Sequence, residues 1–165
     1  MTASPVEPTG LIVGRFVPPH LGHRFLIDAS AARVERLVVM VNGGPDDAVP
    51  GELRARWLQE DHPRARVILV RHELKTDFND AGLWARWVAL FQAHWPYDDG
   101  PHIVFSSEQY GVELAARLGA RPVVIDVSRA SIPVSGTMIR TDPAAHLQFL
   151  SRPVRAWVEE KWCAS

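Results

Sequence analysis

Five runs of consecutive apolar and β-branched residues recur along the chain, at 11–16, 37–42, 67–71, 102–106 and 122–127. Their hydrophobic positions are continuous rather than alternating, the pattern of strands covered on both faces. Between them the pattern changes to the period of a helix. One helix is predicted over 22–34. A second spans 52–61 and buries Leu53, Trp57 and Leu58. A third carries Trp84, Trp87, Val88 and Phe91 at i, i+3, i+4 and i+7, a single apolar stripe. A fourth covers 108–118, with Gly119 placed to terminate it. Strands alternating with helices predict an α/β fold with a parallel sheet and right-handed crossovers.

Past the fifth run the pattern is helical only. Thr141-Asp142-Pro143 sets a capping residue before a proline, opening a helix to 150. Ser151-Arg152-Pro153 opens a last helix that buries Val154, Trp157 and Val158. Residues 1–10 read as a short frayed lead-in and 11–165 as one domain. A length of 165 residues suits that division. A net charge of −1 gives no global attraction to nucleic acid or to an anionic membrane, so any anion site is local. The start has no basic-then-apolar signal layout, and no apolar run is long enough to span a bilayer. The single cysteine, Cys163, excludes an internal disulfide and a thiolate metal cluster and suits a reducing cytoplasm.

The candidate chemistry sits at two places. Gly14-Arg15-Phe16-Val17-Pro18-Pro19-His20-Leu21-Gly22-His23 joins the first strand to the first helix. It aims two imidazoles and an arginine at a helix N-terminus, where orphan N–H groups and the dipole favour a phosphate. An isolated histidine is usually structural. Here the pair flanks a glycine behind two stiffening prolines, and Gly22 leaves room for a close approach. A metal is the competing idea, but no third histidine or cysteine ligand is spaced nearby. The second place is Pro133-Val134-Ser135-Gly136-Thr137-Met138-Ile139-Arg140. Ser135 and Thr137 can cap a helical turn and offer donors to an anion, with Arg140 one turn on. Alone it would read as an ordinary capped helix. Residues just after strands one, two, four and five are expected to converge on one crevice at the carboxyl edge of the sheet.

With these two segments the chain resembles the nucleotidyltransferase superfamily that carries H-x-G-H and I-S-G-T-x-I-R signatures. Within it the chain looks most like the nicotinamide mononucleotide adenylyltransferases, above all the adenylyltransferase part of bifunctional proteins that also carry a ribosylnicotinamide kinase domain. Supporting likenesses are 53–58 in the second helix, Trp84-Ala85-Arg86-Trp87 in the third, Phe105-Ser106-Ser107-Glu108 after the fourth strand, and Asp126 with Arg129. The sequence stops before any kinase domain and has no room ahead of Leu11 for a DNA-binding helix pair, so only the adenylyltransferase part is implied.

The resemblance implies a Rossmann-like three-layer fold with a five-stranded parallel sheet and a C-terminal helical segment. It implies in-line attack of the mononucleotide phosphate on the α-phosphorus of ATP, giving NAD and pyrophosphate, a reaction served by positioning and charge stabilisation. His20, His23 and Arg140 would carry the catalysis. Gly14, Arg15, Phe16, Gly22, Ser106, Ser107, Ser135 and Thr137 would surround ATP. Arg54 and Arg129 would meet the mononucleotide phosphate, and Asn79 would read the carboxamide. Trp87 first, then Trp84, would stack on the nicotinamide ring, although core packing explains an aromatic stripe equally well. Asp46 and Asp47 read as a solvated turn. Magnesium would arrive on the ATP phosphates, without a protein cage. A cytoplasmic enzyme is implied, with homo-oligomer formation left open. Pantetheine-phosphate adenylyltransferase is the nearest rival, but it resembles T-x-G-H and carries a lysine after strand two, where this chain has Asn42-Gly43-Gly44. Cytidylyltransferases differ in the second signature. A non-catalytic nucleotide sensor is the rival from another class, and the intact histidines, Thr137 and Arg140 count against it.

Overall fold

Continuous apolar runs become central strands because both of their faces are packed under helices. The computed structural model describes residues 6–125 and 131–164. Its elements are β1 (Glu7–Gly14), α1 (Leu21–Ala31), β2 (Val34–Gly43), α2 (Gly51–Asp61), β3 (Arg66–Arg71), α3 (Ala81–His94), β4 (Ile103–Ser106), α4 (Tyr110–Leu118), β5 (Arg121–Val124) and α5 (Gly136–Thr141). A 3₁₀ segment (Pro143–Phe149), α6 (Arg152–Val158) and a π turn (Glu159–Cys163) complete the C-terminal part. The strands form one parallel sheet in the order β3-β2-β1-β4-β5. The chain runs outward from β1 to β3, then crosses back to lay β4 and β5 on the other side. The order therefore reverses between β1 and β4, where open α/β sheets hold their ligands. No helix among the described residues is long and apolar enough to cross a membrane.

Alternation along each strand divides the core in two. Ile12, Val39, Val41 and Phe105 pack with Leu26 and Ile27 of α1 and Leu58 of α2. Leu11, Val13, Val38, Met40 and Val104 pack on the other face with Trp84, Phe91 and Leu114 of α3 and α4. A third buried group joins the ends of the chain. Val17, just after β1, meets Val134 and Ile139 of the second signature, Trp57 of α2, and Val154 and Val158 of α6. Each fully buried Val or Ile contributes roughly 1.5–3 kcal/mol. Their burial holds the two signatures side by side.

The sheet is longer than the apolar pattern at its first strand. Glu7 to Gly10, expected to be frayed, are part of β1, with Glu7 opposite Val34 and Thr9 opposite Arg36. Backbone pairing with β2 recruits them although their side chains carry no strand pattern. The same pairing draws Val34 into β2 and ends α1 at Ala31, three residues short of expectation. Gly119 does take the left-handed conformation after α4, with φ 70°. The helix expected over 143–150 is instead 3₁₀ and kinks at His146. There the His146 ring nitrogen bonds the Asp142 carbonyl at 2.7 Å, occupying the acceptor an α-helical turn would use. In α6, Val154 and Val158 are buried as expected and Trp157 only partly. β5 ends at Val124, and residues 126–127 of the fifth predicted run lie outside the described residues.

Candidate active site

The chain leaves β1 through a strained turn. Phe16 has φ 56°, a left-handed conformation costing a non-glycine residue on the order of 1–3 kcal/mol. Its ring lies against Gly14, where a Cβ would come within 3.0 Å, and stands edge-on to His23 at 4.7 Å. His20 then caps α1. Its Nδ1 accepts hydrogen bonds from the N–H groups of Gly22 (3.1 Å) and His23 (3.3 Å). In return His23 Nδ1 accepts from the His20 N–H at 3.1 Å. This is a capping box built from two imidazoles, stacked with centroids 3.6 Å apart. With each Nδ1 accepting, the proton of either neutral ring resides on Nε2. The motif thus fixes both tautomers as well as both positions.

Gly22 owes its place to this cap. A Cβ there would come within 2.9 Å of His20 Cε1 and 3.0 Å of Nδ1. The imidazole of His20 fills the space that a side chain at this position would take. Gly22→Ala is expected to displace that ring and cost the protein about 1 kcal/mol, the worth of a helix cap, read as a lower thermal unfolding midpoint.

The second signature closes on the first. Ser135 caps α5 by accepting from the Met138 N–H at 3.2 Å. Arg140 NH1 donates to the Val17 carbonyl at 2.6 Å, and NH2 donates to Thr137 Oγ1 at 3.2 Å. A Cβ at Gly136 would lie 2.7 Å from Arg140 NH1, so that glycine gives the guanidinium its path to Val17. Burial and the neighbouring Arg15 push the Arg140 guanidinium down from its ordinary value. A guanidinium remains charged at neutral pH even so. Two such groups facing each other in a cleft favour a polyanion between them.

His20, His23 and Arg140 line a single cleft of about 340 Å³ at the carboxyl edge of the sheet. Gly14, Arg15, Phe16, Gly22, Ser106, Ser107, Ser135 and Thr137 line it as well, as do Trp84 and Trp87. Both indole N–H groups hold the segment between β3 and α3: Trp84 Nε1 donates to Phe78 O at 3.1 Å and Trp87 Nε1 to Lys75 O at 2.9 Å. Trp84 is only 7% exposed and has Arg117 over its ring at 5.0 Å. Trp87 is partly buried, with the His72 ring edge-on at 4.4 Å. Burial outweighs the attraction of Asp47 and holds His72 below the usual histidine value, so it is neutral at neutral pH.

Three expected mononucleotide contacts fare differently. Arg54 is fully buried. Its guanidinium donates to the carbonyls of Val49, Arg15 and Asn42 and pairs with Asp47 at 2.6 Å. It clamps the ends of β1 and β2 and does not reach the cleft. Asn79 is exposed and absent from the lining; its N–H turns back to Asp77 Oδ1 at 3.0 Å. Arg129, with Asp126, lies outside the described residues. Asp47, read as part of a solvated turn, is an anchor between Arg15 (3.1 Å) and Arg54.

Asn42, Asp77, Phe78 and Tyr110 are among the lining residues that sequence reasoning missed. Phe78 was legible as the one aromatic in an otherwise polar loop; it is 58% exposed and stacks near Tyr110 and Trp84. Tyr110 gave no such signal. It donates its hydroxyl to the Val13 carbonyl, and burial, then Glu108, push its phenol up, so it stays protonated.

No family model matches the chain. The chain is 24% identical over 170 residues to the trifunctional NAD biosynthesis/regulator protein NadR of Escherichia coli K12. That match takes in 88% of this chain and 39% of NadR, so the chain spans well under half the length of this curated relative. A crystal structure of NadR in complex with NAD and AMP-PNP matches in fold with a TM-score of 0.63 at 22% identity, over 87% of this chain and 44% of that one. A bifunctional NMN adenylyltransferase/ADP ribose pyrophosphatase from Francisella tularensis, complexed with AMP and a manganese ion, also scores 0.63, at 10% identity over 94% of this chain and 50% of its own. The Rossmann-like fold is that of these neighbours, and the resemblance to the nucleotidyltransferase superfamily carried by the two signatures is borne out by a relative in sequence and by neighbours in fold.

Proposed function

We propose that the chain is a nicotinamide-nucleotide adenylyltransferase, joining nicotinamide mononucleotide and ATP. An oxygen of the mononucleotide 5′-phosphate attacks the α-phosphorus of ATP in line. A new P–O bond forms as the bond to the β-phosphate bridging oxygen breaks, giving NAD and pyrophosphate. The observation that carries this reading is the convergence of His20, His23 and Arg140, from signatures more than a hundred residues apart, on one cleft beside the N-terminus of α1.

The residues act by position and charge. The Nε2–H donors of His20 and His23 meet the triphosphate, with His23 at the oxygens where charge develops. Arg140 grips the β- and γ-phosphates, and Arg15, tethered by Asp47, lies across the same cleft. Ser106 and Ser107, at the end of β4, face the adenosine. Magnesium neutralises polyphosphate charge when bound. Phosphate oxygens and water would supply most of its ligands. The aromatic wall of Trp84, Trp87, Phe78 and Tyr110 suits a flat heterocycle better than a flexible pantetheine arm.

A coupled assay tests the proposal. The chain is given ATP and magnesium with either nicotinamide mononucleotide or phosphopantetheine, and pyrophosphate and the adenylylated product are measured. Turnover with the first substrate is expected. Turnover with the second alone, or ATP binding with no turnover, overturns the reading. Trp87→Ala is expected to raise the Michaelis constant for the mononucleotide about tenfold, the worth of one stacked ring, alongside the stability lost with its Lys75 hydrogen bond and its packing. A drop in stability with an unchanged Michaelis constant would make Trp87 a core residue only.

A further inference from the structure

Arg15 enters the cleft just past the end of β1, with 60% of its side chain exposed. A long cation so exposed ordinarily samples many rotamers. Here one contact fixes it. Its NH2 group donates to Asp47 Oδ1 at 3.1 Å, and among the described residues the guanidinium makes no other hydrogen bond or ion pair. The rest of its donor fork stays open to a ligand.

Asp47 is itself held on both sides. Its side chain is only 11% exposed, and Oδ2 accepts from the Gly44 N–H at 2.8 Å and from Arg54 NH2 at 2.6 Å. Arg54 is fully buried and also binds the Arg15 carbonyl, so one assembly fixes both the backbone and the guanidinium of Arg15. A Cβ at Gly44 would lie 3.3 Å from Asp47 Oδ1, so the turn fits closely around the carboxylate. Asp47 does not line the cleft. The charge of Arg15 acts on both Arg54 and Arg140. Guanidiniums gathered in this way push the exposed one out toward solvent, and a carboxylate bonded to Arg15 opposes that.

We infer that Asp47 is a positioning residue for adenylyl transfer, acting through Arg15 by holding that guanidinium in the cleft with Arg140, where substrate phosphates bind. The inference rests on the adenylyltransferase reading above. Charge alone predicts the opposite effect of a substitution. A carboxylate near a phosphate site repels the anion, so neutralising it tightens binding unless the placement of Arg15 matters more.

The experiment is a double-mutant cycle in the full chain, made of Asp47→Asn, Arg15→Ala and the two together. For each protein kcat/KM is measured for ATP and for nicotinamide mononucleotide while the other substrate saturates. Asparagine keeps the shape of Asp47 and removes its charge. Asp47→Asn is expected to lower kcat/KM about tenfold for the substrate whose phosphate Arg15 meets, and to change it less than about twofold once Arg15 is alanine. The stability lost with the Arg54 pair should be similar in both backgrounds, so unfolding curves separate the buried clamp from the tether. An unchanged or raised kcat/KM in Asp47→Asn overturns the inference. So does a larger loss that survives in the Arg15→Ala background, because Asp47 would then act through Arg54 and the fold alone. Should Asp47→Asn not fold, Asp47→Glu runs the same cycle, keeping the charge for Arg54 while moving the oxygens by one methylene. If ATP binds and no NAD forms, the adenylyltransferase reading fails. The dissociation constant of a magnesium-bound ATP analogue, taken by calorimetry through the same cycle, then decides separately whether Asp47 sets Arg15 for phosphate.

Discussion

His23→Ala is expected to lower kcat by about a hundredfold or more, the scale of losing one donor aimed at developing transition-state charge. The Michaelis constants should move less, because an interaction made mainly in the transition state contributes little to ground-state binding. His23 is the better target of the two histidines. His20 is 5% exposed and its Nδ1 serves two backbone donors, so replacing it would mix catalysis with loss of the cap. Removing His23 gives up the acceptor for the His20 N–H, the stack on the His20 ring and the edge contact to Phe16. A stability loss of about 1 kcal/mol or less should follow. Steady-state kinetics together with a thermal unfolding curve separate the two effects. A folded variant with near-normal turnover refutes the role given to His23.

The two signatures were legible because their chemistry is local. Pro18-Pro19-His20-Leu21-Gly22-His23 encodes its own cap, and Ser135-Gly136-Thr137 encodes the next. Their meeting was a matter of topology. Once five buried strands alternate with helices, the ends of β1 and β4 share an edge, and the apolar contacts of Val17 with Val134 and Ile139 do the rest. What the sequence hid is non-local hydrogen bonding. Glu7 to Gly10 look like a tail until β2 lies beside them. Asn79 looked like a polar residue facing a ligand, but the loop is turned by Asp77, and Phe78 lines the cleft instead. Asn42 read as the last residue of the second strand, and the alternation of β2 around a tryptophan-rich core sets it at the cleft.

Arg54 shows the same limit most clearly, and it carries the largest expected effect on stability. An arginine in the first turn of a helix reads as a surface cation free to meet a phosphate. Its acceptors are spread over Arg15, Asn42, Asp47 and Val49, and nothing in the local pattern announces them. Arg54→Met keeps most of the side-chain volume and removes the charge. It removes the donor shared by three carbonyls and leaves Asp47 only Arg15 and the Gly44 N–H, a loss of up to about 3–5 kcal/mol, the scale of a broken buried pair. Chemical denaturation should register it as a lower midpoint at constant m-value.

Acid provides a second readout of the same clamp. Burial alone would raise the Asp47 carboxyl, but the Gly44 N–H and the Arg54 and Arg15 guanidiniums outweigh it and hold the folded-state value below 3.8. The unfolded chain then binds more protons than the folded one as pH falls past that ordinary value. The contribution of Asp47 is therefore complete above about pH 4 and is lost as pH falls through the depressed folded value. In Arg54→Met the depression shrinks, so stability should fall less steeply with acid than in the unaltered chain, from a lower starting point. Unaltered stability in this variant, with a raised Michaelis constant for the mononucleotide, would instead return Arg54 to the substrate phosphate and contradict the buried clamp.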